Sequence, residues 1–148
     1  MFRCFVFVPG HPKGQPRARA FSKNGKARMY EAGTAEGWKG QILLAVKPYL
    51  PGEPVKGAFK VNCRFLFHRP KNHYRANGKL KDRAPRYHTT KPDRDNLDKA
   101  VLDCLTQLGI WEDDKQVVTG NLQKEYVAEN ASRPGMFLEI VEVKNVFD

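Results

Sequence analysis

The segment that decides the fold is KPDRDNLDKAVLDCLTQLGIWEDDKQVV, which spans residues 91–118 of a 148-residue chain. From residue 96 to residue 108 its apolar side chains recur at helical spacing, and Gly109 stands where a left-handed residue commonly ends a helix. At about 100° per residue, these side chains fall within one narrow stripe that consists of Leu97, Val101, Cys104, Leu105 and Leu108. The segment therefore predicts an amphipathic helix, followed by a short return and a strand.

Aspartates stand at both ends of this predicted helix. Asp93 and Asp95 mark its entrance, where unpaired backbone N–H groups favour negative charge, and Asp113 and Asp114 follow it. In a chain whose formal net charge is +10, carboxylates concentrated in one place indicate a bound divalent cation. Such a cation is the natural agent for cleaving a polyanionic partner. The pattern predicts a small metal-dependent DNA nuclease.

Other interpretations of these acids start from the same spacing. Asp95 alone fits a helix N-cap, and Lys99 four residues later fits an ordinary ion-pair partner. A calcium-binding EF-hand is excluded, because counting from Asp93 puts Asp98 at its glycine position and Cys104 at its glutamate position.

The predicted helix displays a charged row, Asp95, Lys99 and Asp103, on the side opposite its apolar stripe. The helix rises roughly 20 Å, and the six residues 109–114 span at most about 20 Å when extended. Asp114 is therefore expected to return toward Asp95 with little slack, and closure within one subunit stays open.

Positive charge is concentrated in two segments. Residues 13–28 carry a net charge of +6 and residues 69–91 carry +7, so the remainder of the chain is about −3 at neutral pH. Basic side chains for phosphates together with rings that stack on unpaired bases are typical of nucleic-acid contact. We therefore expect basic DNA-binding loops at about 9–30 and 69–92, although a solvated surface also accounts for many basic runs. The aromatic residues in or beside these segments are Phe21, Tyr30, Tyr74 and Tyr87.

The remaining patterns predict one α/β (α+β) domain over residues 1–148, with a mixed sheet packed against two main helices. Thr34 and Glu36 fit the start of the first helix, which Pro48 ends. Residues 69–90 show no periodicity, and loops of that length are usually functional or disordered. Alternating apolar residues predict strands at 2–8, 57–68, 116–128 and 136–143.

The cysteines, the histidines and the hydropathy exclude other classes of protein. Cys4, Cys63 and Cys104 are widely spaced and the four histidines are scattered, which predicts buried reduced thiols and neither a zinc site nor a disulfide framework. No apolar run is long enough to span a membrane, and residues 1–10 lack the features of a signal peptide. We expect a cytoplasmic protein without an organic cofactor.

The quoted segment resembles the RusA family of Holliday junction resolvases, particularly its phage-type members. The match is densest over KPDRDNLDKAVLDCL and GIWEDDKQVV, and weaker over FVFVPGHPKGQPRAR and HYRANGKLKDRAPRYHTTKPD. The resemblance implies a homodimeric nuclease, bacterial or phage-encoded, that nicks four-way DNA symmetrically with Mg²⁺ or Mn²⁺ in recombination or repair. Cys104 departs from the small residue that is ordinary at its position.

The resemblance also implies roles for individual side chains. Asp93, Asp95 and Asp114 match the catalytic, metal-binding carboxylates, and Lys99 matches the catalytic lysine; Asp113 ranks behind Asp114 as a ligand. A non-catalytic basic DNA-binding protein is the alternative, but it leaves the aspartates unexplained because they repel phosphate unless a metal intervenes. The DNA contacts expected from the basic segments are Lys13, Arg17, Arg19, Lys71, Arg75, Lys79, Lys81, Arg83, Arg86 and Lys91.

Overall fold

The computed structural model describes residues 1–15, 19–23, 26–30, 35–128 and 132–147, with the two strands between 19 and 30 described by backbone pairing only. The chain forms a single mixed α+β domain with two main helices, as predicted. Short 3₁₀ turns lie at Lys47–Tyr49, Lys71–His73 and Asp114–Gln116. The strands and helices are β1 (Arg3–Pro9), β2 (Arg19–Lys23), β3 (Lys26–Tyr30), α1 (Ala35–Val46), β4 (Ala58–Phe67), α2 (Arg94–Leu108), β5 (Val117–Thr119), β6 (Leu122–Tyr126) and β7 (Gly135–Val143).

The main sheet has five strands in mixed directions. Its order is β1, β7 and β4, and both β5 and β6 pair with the far edge of β4. β7 runs antiparallel to β1 and β4, whereas β5 and β6 run parallel to β4. The mixed sheet expected from the sequence is therefore confirmed.

β2 and β3 form a separate antiparallel hairpin. The prediction of a loop over the whole of residues 9–30 is wrong in this part. The signal for the hairpin is the dipeptide Asn24–Gly25, a pair that favours the tight turns of two-residue hairpin loops.

Both helices pack against one face of the main sheet. Alternate strand residues point to this face, so that Val8 of β1, Phe65 of β4 and Leu138 of β7 are completely or almost completely buried. α1 contributes Trp38 to the same core, and Leu108, the last residue of the predicted α2 stripe, is only partly buried. The buried residues of α2 are Leu97, Ala100, Val101, Cys104 and Leu105.

The helix ends follow the sequence closely. α2 begins at Arg94, two residues earlier than predicted, and Gly109 ends it with φ of 83° while its N–H donates to the carbonyls of Leu105 and Thr106. The expected cap of α1, Thr34, lies outside the described residues. No helix within the described ranges is long and apolar enough to cross a membrane.

The three cysteines are buried and free, as predicted. Burial raises the pKa of the Cys104 thiol to about 11, so this thiol stays protonated at neutral pH. Its Sγ donates to the carbonyl oxygen of Lys39 at 3.6 Å, which joins α2 to α1. Cys104 therefore belongs to the core of the protein.

The strand predicted over residues 116–128 is divided at Gly120. This residue has φ of 142°, and a Cβ here would collide with the carbonyl oxygen of Val61 in β4. Glycine is the residue that tolerates both the backbone conformation and the close approach. Residues 119–122, around the break, line a groove beside α2.

The long segment between β4 and α2 is attached to β6. Arg69 is 5% exposed, and its guanidinium donates to the carbonyls of Val127 and Pro85 at 2.7 Å each. Further along, two backbone hydrogen bonds join residues 86–88 to residues 124–126. The predicted functional loop, residues 69–90, is thus hydrogen-bonded to the edge strand of the sheet.

A buried carboxylate ties this loop to the sheet. Glu125 is 2% exposed and accepts from Arg64 at 2.8 Å and from Arg86 at 3.2 Å. Burial by itself would raise the pKa of Glu125, but the hydrogen bonds and charges of Arg64 and then Arg86 outweigh it and hold that pKa below its ordinary value. The ionised carboxylate therefore stabilises the fold.

Glu125→Gln should destabilise the protein at neutral pH by about 2 kcal/mol, less than for a fully buried pair because both arginines remain partly in water. A carboxylate with a lowered folded-state pKa stabilises the fold above its unfolded pKa of about 4.3, and this contribution is lost as pH falls through the folded value. Urea unfolding of both proteins between neutral and acid pH should show the difference shrinking below about pH 4. A difference that is constant over this range would contradict the assignment.

Candidate active site

A groove of about 700 Å³ separates the first turns of α2 from β5 and β6. Three carboxylates line it, those of Asp93, Asp95 and Asp98, together with Arg94 from the same turns. The opposite wall comes from the chain around Gly120, where β5 ends and β6 begins. The two strand segments therefore face the acidic entrance of the helix.

Asp93 occupies the N-cap position of α2, but its side chain makes no capping hydrogen bond. The interpretation of Asp95 as the N-cap is wrong, since Asp95 lies inside the first turn. The charge of Asp93 acts on Lys124 of β6: burial lowers the pKa of the Lys124 ammonium, and the negative charge of Asp93 partly offsets that effect. Lys124 also donates to the carbonyl oxygen of Thr90 at 2.7 Å. Lys124 is therefore fixed by a hydrogen bond to Thr90, and its charge interacts with that of Asp93.

Asp95 and Lys99 lie one turn apart on α2, and both are exposed. Asp95 is a lining residue of the groove, whereas Lys99 is not. Asp103, the third member of the predicted charged row, is partly buried. The helix therefore brings Asp95 to the groove and leaves Lys99 on its solvent side.

The short turn that carries Asp114 is fixed by its neighbours. Trp111 is buried before the turn, and the side-chain amide of Gln116 donates to two backbone carbonyls that precede β4. Asp113 caps the turn by accepting from the backbone N–H of Lys115 at 2.8 Å. Because the Asp113 carboxylate has this structural role, Asp114 is the better candidate of the pair for other contacts.

Asp114 is not a lining residue of the groove, but its charge acts on Asp98. Burial raises the pKa of Asp98, Arg94 lowers it, and Asp114 raises it, with a net shift upward. The charge of Asp114 therefore acts on Asp98, one turn beyond Asp95, within a single chain.

Asp98 is absent from the residues that the sequence predicts for the site. It follows Asp95 by three residues, a spacing that places both side chains on the same side of a helix. That signal is present in the sequence. The half-burial of Asp98 depends on β5 and β6, whose position no local pattern gives, and the same is true of Lys124.

Comparison with known proteins assigns the chain to a family. Residues 9–140 match the family described as Endodeoxyribonuclease RusA. The chain belongs to the RusA endodeoxyribonuclease family. It is also 32% identical over 130 residues to the "Uncharacterized protein YqaN" of Bacillus subtilis (strain 168), in an alignment that covers 85% of this chain and 90% of that protein. Membership confirms the resemblance and indicates an endodeoxyribonuclease that acts on Holliday junctions.

The donor atoms in this RusA-family groove suit a hard divalent cation. Among residues 1–15, 35–128 and 132–147, no three acidic, histidine or cysteine side chains stand close enough together to enclose a metal ion. An open groove still fits Mg²⁺, because that ion is usually bound by one or two carboxylates and keeps several waters. Its donors are oxygens, whereas Cys63 and Cys104 are buried in the core, which disfavours a thiolate metal site.

The predicted DNA contacts fall into three groups. Arg75 pairs with Asp82 at 3.0 Å, and Arg86 pairs with the buried Glu125. Arg17 and the side chain of Arg19 lie outside the described residues. The others are exposed and form no ion pair with another described residue: Lys13, Lys71, Lys79, Lys81, Arg83 and Lys91.

Asp98→Asn should stabilise the metal-free protein at neutral pH. The folded-state pKa of Asp98 lies above its unfolded value, so the fold favours the protonated carboxyl and loses stability as pH rises through that range. Urea unfolding in EDTA should therefore give equal stabilities in acid and a more stable variant at neutral pH. A variant that is less stable than the wild type at neutral pH would contradict the assignment.

Proposed function

We propose that this RusA-family protein is a Mg²⁺-dependent endodeoxyribonuclease that resolves four-way DNA junctions by paired symmetric nicks. The observation that carries the proposal is the groove that presents Asp93, Asp95 and Asp98 in a protein of net charge +10. Mn²⁺ is the expected substitute ion. We expect the protein to act in the cytoplasm and to be encoded by a bacterium or a phage.

The carboxylates of Asp93 and Asp95 would hold the ion from the helix side of the groove, and Asp114 would approach from the 3₁₀ turn. A bound ion would polarise a phosphate oxygen and would make a water molecule more acidic. Asp98, which is half-buried and feels the charges of Arg94 and Asp114, adds negative charge to the same site. These side chains orient the ion on a helix and an anchored turn, which are more rigid than a free loop.

Two lysines supply positive charge for the phosphate. Lys99 is exposed on α2 and would meet bound DNA from the solvent side, where its ammonium stabilises the charge that develops in the transition state. Lys124 is held near Asp93 by the Thr90 carbonyl and would contact a neighbouring phosphate. The exposed lysines of the 69–91 segment would extend the contact along the DNA.

Symmetric nicking requires two sites, so we infer a two-fold homodimer. Two copies of the groove, each with its own basic segment, match a junction whose four arms have comparable symmetry. Recognition then depends on the shape of the DNA and on phosphates, so junction affinity should fall steeply as salt rises.

The proposal is tested with a synthetic four-way junction and a linear duplex of the same arm sequence. We expect paired nicks in opposite strands of the junction when Mg²⁺ is present, and none in EDTA or in the duplex. Binding of the junction without cleavage in Mg²⁺ or Mn²⁺ would instead support the non-catalytic DNA-binding alternative.

Asp95→Asn and Lys99→Ala should separate ion binding from charge stabilisation. Asp95→Asn should abolish nicking and weaken Mn²⁺ binding measured by calorimetry, while junction binding in EDTA survives.

Lys99→Ala should retain Mn²⁺ binding but nick about 100-fold more slowly, because a positive charge that stabilises the transition state is removed. Lys47→Ala, at an exposed lysine beyond α1, serves as the control. Full activity in either variant would remove that residue from the site.

A further inference from the structure

A short strap, residues 10–15, crosses from the end of β1 to the entrance of α2. It begins at Gly10, which has φ of 130° and lies against the Trp38 ring of α1. At its other end the backbone N–H of Gln15 donates to the carbonyl oxygen of Asn96, in the first turn of α2, at 2.8 Å. The strap therefore packs against α1 at one end and is hydrogen-bonded to α2 at the other.

Gly14 is the point at which the strap lies closest to α2. A Cβ at this position would stand 2.9 Å from the Cβ of Asn96 and 3.2 Å from the Cβ of Pro92. The backbone fixes both of those atoms, so an added methyl group fits only if the strap or the helix entrance moves. Pro92 and Asn96 are the residues that flank Asp93 and Asp95 in the sequence.

We propose that Gly14 is a positioning residue, whose missing side chain lets the strap clamp the turn from Pro92 to Asn96 and so hold Asp93 and Asp95 in the groove. The inference rests on the proposed nuclease function. Gly14 touches no reacting group and acts through the backbone of the turn. A displacement on the order of 1 Å at a catalytic group is enough to slow a reaction about 100-fold.

The strap also leads directly into the first basic segment. β2 begins at Arg19, four residues after Gln15, so the start of the hairpin lies within about 14 Å of Gln15 and the α2 entrance. Phosphates that bind to this part of the chain would then lie near the acidic groove. The clamp thus keeps the groove within this distance of the start of β2.

The test compares Gly14→Ala with Gly52→Ala, a control in which the added Cβ meets no atom within 4 Å. In Gly14→Ala we expect nicking in Mg²⁺ about 100-fold slower than in the wild type. We also expect Mn²⁺ to bind several-fold more weakly by calorimetry, because the two carboxylates are displaced. Cooperative thermal unfolding and junction affinity in EDTA should persist, since phosphate contacts dominate that affinity. Gly52→Ala should match the wild type in every measurement.

A double variant separates positioning from general damage. Asn96→Gly removes the Cβ that the added methyl group would strike, so Gly14→Ala combined with Asn96→Gly should nick at least about 10-fold faster than Gly14→Ala alone. It should also recover Mn²⁺ affinity. A variant that is only destabilised would not recover, because glycine within a helix lowers stability further, by about 1 kcal/mol relative to alanine.

The outcomes separate this inference from the proposed function. If the wild type nicks the junction and Gly14→Ala has the same nicking rate and the same Mn²⁺ affinity, the clamp is overturned and the nuclease function stands. The same conclusion holds if Gly14→Ala nicks slowly and Asn96→Gly does not restore the rate. If the wild type binds Mn²⁺ without nicking, the nuclease proposal fails while the Mn²⁺ affinities still decide the clamp. If the wild type neither nicks nor binds Mn²⁺, both fail.

Discussion

The burial of one face of α2 against the sheet determines where the groove lies. Leu97, Val101 and Leu105 are completely buried, so the helix cannot rotate about its axis without exposing apolar surface. With the stripe held, the entrance of α2 presents Asp93 and Asp95 toward the side where β5 and β6 pass. The position of the site therefore depends on hydrophobic packing in which none of its aspartates takes part.

The protein uses its arginines and its lysines differently. Arg69 is buried against backbone carbonyls and Arg86 pairs with Glu125, so these two guanidinium groups attach the long basic segment to the sheet, while Arg64 of β4 holds the same Glu125 from within the sheet. A guanidinium suits this task because its planar array of donors forms several directed hydrogen bonds at once. The lysines of the same segment remain exposed. Arg69 and Arg86 thus hold the segment against the sheet, and its exposed lysines are accessible to a polyanion.

The sequence predicts the elements that depend on neighbouring residues. The stripe of α2, its end at Gly109 and the acids at its entrance follow from local spacing, and the family assignment follows from the same motif. The division of β5 from β6 could not be predicted, because it arises where Gly120 meets Val61 of a distant strand. The structural role of Arg86 was hidden for the same reason, since its partner Glu125 lies in β6, 39 residues further along the chain. Composition assigns both arginine and lysine to DNA, whereas the structure shows that Arg69 and Arg86 also hold the fold.

An ionised carboxylate that is taken out of water destabilises a fold, and the groove shows this effect at Asp98. Burial is the main cause of its raised pKa; Arg94 lowers that pKa, and the charge of Asp114 raises it. The hydrogen bonds of Gln116 and the Asp113 cap hold the turn of Asp114 on one side of the site. The strap holds the entrance of α2 on the other. Any cation that binds only the folded groove stabilises the protein by linkage. Rigid supports that keep Asp98 partly buried therefore favour ion binding at the expense of the stability of the empty groove.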